Sequence, residues 1–181
     1  MIIKNEFYQV EISCDEQYMI DSSNNRRYNL ILNPKKYTKN DMYNVSCIEV
    51  KGENTYRLAL IGNYYSYPEN CAILEDKKLI MLKNYDIYII DLESMNLIEE
   101  YQVEDMACNF GIYRIDDGYI IHGEMEIKKL DFNFNKVWGF YGRDIFVSMN
   151  NKKAFEISNN KIKLYDFEDN YYELDFDGNE I

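Results

Sequence analysis

The chain has 181 residues, of which 46% are hydrophobic and 29% are charged, a balance typical of a folded globular protein rather than a disordered one. Its formal net charge of −12 disfavours nucleic acid as a partner, because proteins bind phosphate groups through Lys and Arg. The sequence has no apolar run long enough to span a membrane and no signal peptide. We therefore expect a cytoplasmic protein with no membrane partner.

The N-terminal third, residues 1–66, predicts an irregular set of five strands. Apolar or alternating runs are separated by polar turns, namely FYQVEIS, QYMID, RRYNLILN, YNVSCIEV and YRLALIGN. If the sheets of the protein close into a ring, we expect the first run, residues 7–13, to complete the last sheet and to cover its open edge.

The stretch NYYSYPEN, residues 63–70, predicts an exposed aromatic loop, because polar residues and Pro68 interrupt its tyrosines. Partly exposed aromatic side chains are the usual anchors of protein interfaces. Tyr64, Tyr65 and Tyr67 are therefore candidate protein-binding residues.

A short pattern, I-x-x-[ILY]-D-[LF]-[EN], occurs three times in the rest of the chain. Its aspartates are Asp91, Asp131 and Asp166, with spacings of 40 and 35 residues. A polar turn precedes each aspartate by 15, 14 and 15 residues, so two landmarks keep their register. The pattern predicts that each aspartate is structural and accepts backbone N–H groups in the turn after a strand. The alternative is a metal or catalytic ring formed by the three carboxylates.

Each repeat predicts four short strands separated by tight polar turns, so residues 70–177 read as three four-stranded antiparallel meanders. Such a repeat resembles the blades of a β-propeller, although it lacks the Trp-Asp and Gly-His pairs of WD40 units and the Gly-Gly of kelch units. The resemblance implies an all-β fold, a small or partial β-propeller-like arrangement in one domain, residues 1–181. A two-sheet β-sandwich is the alternative.

His122, the single histidine, is followed by Glu124 and Glu126. On a continuous strand these three side chains would share one face and form a candidate metal set. The favoured interpretation is a partly buried histidine whose ring is satisfied by a backbone carbonyl group.

Four cysteines lie far apart without a CxxC pair, and we expect reduced thiols in the core: Cys14, Cys47, Cys71 and Cys108. Trp138 is also predicted to be a core residue. Residues 175–180, DFDGNE, supply only part of a calcium-binding loop, so no metal or other cofactor is predicted.

These features favour a non-enzymatic protein-binding module over an enzyme. The expected partner is another protein, with a basic protein as one candidate. Three alternatives remain open: an immunity-type protein that neutralises a basic toxin enzyme, a carboxylate-dependent hydrolase, and a regulatory or scaffold repeat with no tight ligand.

Overall fold

The computed structural model describes residues 1–63, 69–103, 107–148 and 153–181. Within these ranges the chain is all-β, with sixteen strands and one short 3-10 helix at Ser23–Arg27. The chain divides into two compact units, Met1–Val103 and Glu104–Ile181. The single domain over residues 1–181 stays a prediction.

The first unit begins with a five-stranded sheet. Its strands are β1 (Ile2–Lys4), β2 (Gln9–Cys14), β3 (Leu30–Leu32), β4 (Asn44–Lys51) and β5 (Thr55–Gly62). Their order is β1-β2-β4-β5-β3, and β3 is the one strand that runs parallel to its neighbour.

Two of the five N-terminal runs differ from the prediction. Residues 17–21 form turns instead of a strand, because Tyr18 packs against Tyr28 and not into a ladder. Of the run 26–33, only β3 is a strand. The prediction that residues 7–13 complete a distant sheet is wrong, since β2 already pairs with β1 on one side and with β4 on the other.

The first repeat forms a four-stranded antiparallel meander, as predicted. Its strands are β6 (Ala72–Glu75), β7 (Lys78–Lys83), β8 (Asp86–Asp91) and β9 (Asn96–Gln102). Asp76 and Asn84 begin its first two turns with positive φ angles of 46° and 52°. Asp and Asn tolerate this left-handed backbone better than most residues, which is why the polar turns predicted the hairpins.

The meander and the five-stranded sheet share one hydrophobic core. Alternate residues of β2, β4 and β5 face alternate residues of β7 and β8, as expected for two sheets packed face to face. The central members are Val10, Ile48, Leu58, Met81 and Tyr88, each at most 1% exposed.

The second unit contains the other two repeats. The second repeat is a four-stranded meander of β10 (Asn109–Ile115), β11 (Gly118–Gly123), β12 (Ile127–Leu130) and β13 (Lys136–Phe140). The third forms a three-stranded sheet of β14 (Phe155–Ser158), β15 (Lys161–Tyr165) and β16 (Tyr171–Leu174). Ile120, Ile127, Ile162, Leu164 and Leu174 form the centre of their common core.

The third repeat has one strand fewer than predicted within the described residues. Its expected first strand, IFVS at residues 145–148, joins no sheet. Phe146 N–H donates to the Glu124 carbonyl group at 2.7 Å, and Ile145 accepts from Phe167 N–H at 2.8 Å. The backbone of this segment thus forms hydrogen bonds with two turns and not with a neighbouring strand. The turn landmark Asn151 lies outside the described residues.

The outermost strands of both meanders, β9 and β13, carry a β-bulge at the same place. Ile98 is the extra residue between the pairs Ile90↔Leu97 and Ile89↔Glu99. Val137 is the extra residue in β13. Both bulged side chains are exposed, at 42% and 57%.

Candidate functional site

The predicted binding loop cannot be compared with the structure. Tyr64, Tyr65 and Tyr67 fall in residues 64–68, which lie outside the described residues. Their role stays a prediction.

The structure supports the turn role that the sequence assigned to the repeated aspartates. Asp91 Oδ1 accepts Ser94 N–H at 2.6 Å and the Ser94 hydroxyl at 2.7 Å. Asp131 Oδ1 accepts the N–H groups of Asn133 and Asn135, both at 2.8 Å. These bonds hold the pKa of both carboxyl groups below the usual value.

Asp166 makes the same turn contacts from a buried position. Its Oδ1 accepts Asn170 N–H at 2.9 Å, and its Oδ2 accepts the Tyr172 hydroxyl at 2.8 Å. Burial raises the pKa of this carboxyl group, but the hydrogen bonds from Asn170 and Tyr172 outweigh burial and lower it. Asp166 therefore links a turn to the core of the second unit.

A further copy of this turn, at Asp175, was missed at the sequence level. Asp175 Oδ1 accepts Asp177 N–H and Asn179 N–H, both at 2.9 Å, as Asp131 does in its turn. The shared signal is D-F-x-x-N, at residues 131–135, 166–170 and 175–179. In each copy the fourth residue has positive φ, the geometry of a three-residue hairpin loop with a bulge. The fragment of a calcium-loop pattern in DFDGNE is thus a hairpin turn.

His122 is satisfied as the favoured interpretation predicted. It is 9% exposed, its Nε2 lies 3.1 Å from the Phe146 carbonyl oxygen, and its ring stacks on Phe155 at 4.7 Å. Burial lowers the pKa of the imidazole to about 4, so the ring is neutral at physiological pH.

Glu124 and Glu126 do not share the His122 face, because β11 ends at Gly123 and the chain bends. The Glu124 carboxylate accepts Cys108 N–H at 3.3 Å. Glu126 is buried and pairs with Lys136 at 2.5 Å. The expectation of a common face is therefore wrong. In the part of the chain that the structure describes, no group of three or more His, Cys, Asp or Glu side chains could hold a metal ion.

The four cysteines are free thiols, and one of them is a core residue. Cys71 is 3% exposed, and burial raises the pKa of its thiol. Cys14 is exposed at the end of β2, so its predicted core position is wrong. Trp138 is half-buried and donates its Nε1–H to the Phe176 carbonyl group at 3.1 Å.

An aromatic cap covers the outer face of the five-stranded sheet. We define the aromatic cap as residues 15–29 and 33–43, which lead from β2 to β3 and from β3 to β4. Its tyrosines pack over Val45, Ala59 and Ile61. They are Tyr18, Tyr28, Tyr37 and Tyr43. This face of the sheet is thus covered by the chain itself.

Side-chain hydrogen bonds fix the conformation of the aromatic cap. Asp15 accepts the Tyr28 hydroxyl and pairs with Arg27. Asn33 both donates to the Tyr37 carbonyl group and accepts Tyr37 N–H, each at 2.8 Å. Such a clamp holds the turn before any partner arrives, which lowers the entropic cost of binding.

Two methionines of the aromatic cap are exposed, whereas none of its four tyrosines is. Met19 is 61% exposed and Met42 is 71% exposed. Ile20 N–H donates to the Tyr43 hydroxyl at 3.2 Å, and this bond ties the segment of Met19 to that of Met42. Exposed methionines on ordered segments are typical of adaptable protein-binding surfaces.

A buried amine lies inside the first unit. Lys83 is 1% exposed and donates its Nζ to Asn44 Oδ1 at 2.6 Å and to Ser46 Oγ at 2.8 Å. Burial lowers the pKa of this amine to about 8. Because the Lys83 side chain is enclosed, we assign it a structural role between the two sheets and not a role in ligand binding.

The hydrolase alternative requires acidic groups that converge in a pocket. Asp86 and Glu100 both pair with Lys35, and burial raises the pKa of Asp86. A cavity of about 230 Å³ in the same unit is lined by other residues, none of them acidic. They are Asn29, Leu30, Tyr56, Leu58 and Met95.

No protein-family model matches the sequence, and no curated protein matches it in a sequence search. Among solved structures, the chain is similar to the crystal structure of Kluyvelomyces marxianus Hsv2, with 7% identity and a TM-score of 0.45. The likeness covers 78% of this chain and 47% of that chain, so the chain spans about half the length of Hsv2. A likeness this distant indicates neither a function nor a site.

Across the described ranges, no helix has the length and apolar character needed to cross a membrane.

Proposed function

We propose that this chain is a non-enzymatic protein-binding module and that its aromatic cap is the binding surface. The observation that carries the proposal is the pair of exposed side chains, Met19 and Met42, on a layer that hydrogen bonds hold in place. The scaffold beneath is a set of sheets that we interpret as propeller-like blades. Such rigid sheets commonly present connecting segments to partners.

The aromatic cap combines exposed apolar side chains with an ordered tyrosine layer, and both features favour binding. When a partner covers an exposed apolar side chain, the complex is stabilised by about 25 cal/mol per Å² of buried apolar area. The tyrosine layer is already packed against the sheet, so little ordering is required of it on binding. Met19 and Met42 can adapt their rotamers to the shape of the partner.

The test is affinity capture from an extract of the source organism, with the purified chain as bait. The double variant Met19→Ser/Met42→Ser removes the exposed apolar contacts and leaves the tyrosines intact. The control is Met125→Ser, which removes a methionine that is 51% exposed in the second unit. We expect a protein that wild type and control retain and that the double variant retains about tenfold less. Equal retention by all three baits contradicts the proposal.

A second form of the proposal, in which the acidic second unit and not the aromatic cap meets the partner, is an immunity-type protein that neutralises a basic toxin enzyme. It is favoured by the second unit, whose sequence holds 16 acidic and 9 basic residues. Asp116, Asp117 and Asp177 are exposed there on turns. Opposite charge speeds encounter between partners, so this form predicts copurification with a basic protein that weakens as salt rises. Capture that does not change between low and high salt contradicts this form.

A further inference from the structure

A basic segment runs through the aromatic cap and β3, with the acidic residues of the cap, Asp15, Glu16, Asp21 and Asp41, on either side of it. Residues 22–40, which we call the basic segment, hold five cationic side chains and no Asp or Glu, whereas the whole chain has 32 acidic and 20 basic residues. The cations are Arg26, Arg27, Lys35, Lys36 and Lys39. A local charge of opposite sign to the rest of the surface indicates what kind of partner this surface attracts.

Two of the five cations are already paired inside the first unit. Arg27 pairs with Asp15, and Lys35 pairs with Asp86 at 3.1 Å. Arg26, Lys36 and Lys39 are exposed and have no ion-pair partner among the described residues. These three side chains are therefore available to anions in solution.

The three exposed cations are attached to ordered backbone. Lys36 has φ of 58° and lies inside the Asn33–Tyr37 clamp, with its N–H bonded to the Asn33 carbonyl group at 3.1 Å. Lys39 lies in a turn where the Asp41 carboxylate accepts Thr38 N–H at 2.7 Å. Ser22 caps the 3-10 helix that carries Arg26.

Contacts between neighbouring residues link the segments that carry the cations to the segments that carry the exposed methionines. Asn25, next to Arg26, donates its side-chain amide to the Met19 carbonyl group at 2.8 Å. The Tyr37 ring, between Lys36 and Lys39, lies 6.4 Å from the Tyr43 ring in a tilted arrangement, and Met42 is the neighbour of Tyr43 in sequence. Cationic and apolar contacts are thus offered side by side.

We propose that the aromatic cap binds an acidic peptide segment of a partner protein. Carboxylates of the segment pair with Arg26, Lys36 and Lys39, and an apolar side chain of the segment covers Met19 and Met42. The inference rests on the proposed function and adds the chemistry of the partner.

A peptide fits this surface better than a nucleic acid does. Nucleic acid affinity increases with each phosphate that Lys or Arg neutralises, and three exposed cations on a chain of net charge −12 neutralise few phosphates. The exposed methionines offer apolar area that a protein side chain can cover and a phosphate backbone cannot.

The direct test is fluorescence anisotropy with a labelled synthetic peptide of Glu and Gly residues around one Leu, at low ionic strength. The test variant is Arg26→Glu/Lys36→Glu/Lys39→Glu. The matched control, Lys4→Glu/Lys78→Glu/Lys153→Glu, changes the net charge equally at three other exposed lysines. We expect the test variant to raise the dissociation constant by about tenfold and the control to change it by less than about twofold. Circular dichroism checks that each variant is folded.

Four outcomes overturn the inference. They are no binding of the peptide to wild type, an equal loss in both triple variants, tighter binding of a single-stranded oligonucleotide than of the peptide, and self-association of wild type that the test variant abolishes. The last would mean that a second copy of this acidic chain occupies the surface. Binding that weakens from low to about 0.5 M salt supports the inference, because exposed charges are screened.

The same variants separate this inference from the proposed function. In the extract capture, a protein can be lost with Met19→Ser/Met42→Ser but retained with Arg26→Glu/Lys36→Glu/Lys39→Glu. That result supports the proposed binding module and overturns the inference that its partner is acidic. Retention by both variants overturns both.

Discussion

The buried amine of Lys83 makes a quantitative prediction about stability at alkaline pH. Its pKa is about 8 in the folded chain, and the usual value is 10.5. Between these two pH values the unfolded chain keeps the proton and the folded chain loses it. The unfolded state then binds more protons, so this residue makes the free energy of unfolding rise with pH. One pKa unit corresponds to about 1.4 kcal/mol, so the full rise is about 3 kcal/mol.

Other groups titrate in the same range with the opposite sign. Burial raises the pKa values of the Cys71 thiol and the Tyr28 hydroxyl, so their contribution to stability falls as pH rises. The informative quantity is therefore the difference in unfolding free energy between wild type and Lys83→Met, in which the contributions of groups that do not interact with Lys83, such as Tyr28, cancel. Cys71 interacts electrostatically with Lys83, so its contribution enters this difference.

The assay is urea unfolding in the presence of a reductant at several pH values from 7 to 10.5. We expect the difference, wild type minus Lys83→Met, to increase by about 3 kcal/mol between pH 8 and 10.5. The control is Lys78→Met, an exposed lysine at the start of the same strand, for which the difference stays constant. A change of less than about 1 kcal/mol with Lys83→Met would refute the claim that burial depresses this amine.

Three further predictions concern the second unit. Asp166→Ala lowers the free energy of unfolding by about 3 kcal/mol and Asp131→Ala lowers it by about 1 kcal/mol, because Asp166 is buried. Equal losses of stability for the two variants in urea unfolding would contradict this prediction. Gly118→Ala costs at least about 3 kcal/mol, because φ is 154° and a Cβ atom would lie 2.0 Å from the Leu130 carbonyl oxygen; an unchanged melting temperature would rule this out. Burial lowers the pKa of His122 to about 4, so its neutral ring contributes stability above pH 6.5 that is lost towards pH 4. Relative to His122→Gln, wild type should lose about 3 kcal/mol in that range by urea unfolding, and parallel curves would contradict it.

The repeat could be predicted from sequence because its information is local. A carboxylate at a strand end bonds to N–H groups two to four residues later, so Asp91, Asp131 and Asp166 mark their turns without any knowledge of distant residues. The alternation of apolar residues in β15 follows from burial of one face, whereas the continuous apolar run of β7 follows from burial of both faces. Asp175 was within reach of the same logic, since Phe176 and Asn179 repeat the positions of the other two D-F-x-x-N turns.

The candidate surface depends on contacts that sequence does not contain. QYMID resembles a strand by alternation, but Tyr18 is held by Tyr28, which is ten residues away and belongs to a different turn. The parallel pairing of β3 with β5 joins Leu30 directly to Leu58, although β4 lies between the two strands in sequence. A two-residue turn determines which strand pairs with the strand before it, whereas a long connection allows pairing with many different strands. The aromatic cap, and with it the exposure of Met19 and Met42, is the product of such connections.

The repeated bulge in β9 and β13 has a consequence for how copies of this chain meet one another. Each of these strands forms one border of its sheet, where backbone N–H and C=O groups could template a foreign strand. The extra residues Ile98 and Val137 interrupt that row of groups in the first half of each strand, so an added strand would find only a short regular stretch beyond the bulge. Two exposed borders are thereby made poor templates for a foreign strand, and straightening either bulge by deletion of one residue should increase aggregation before it changes the fold.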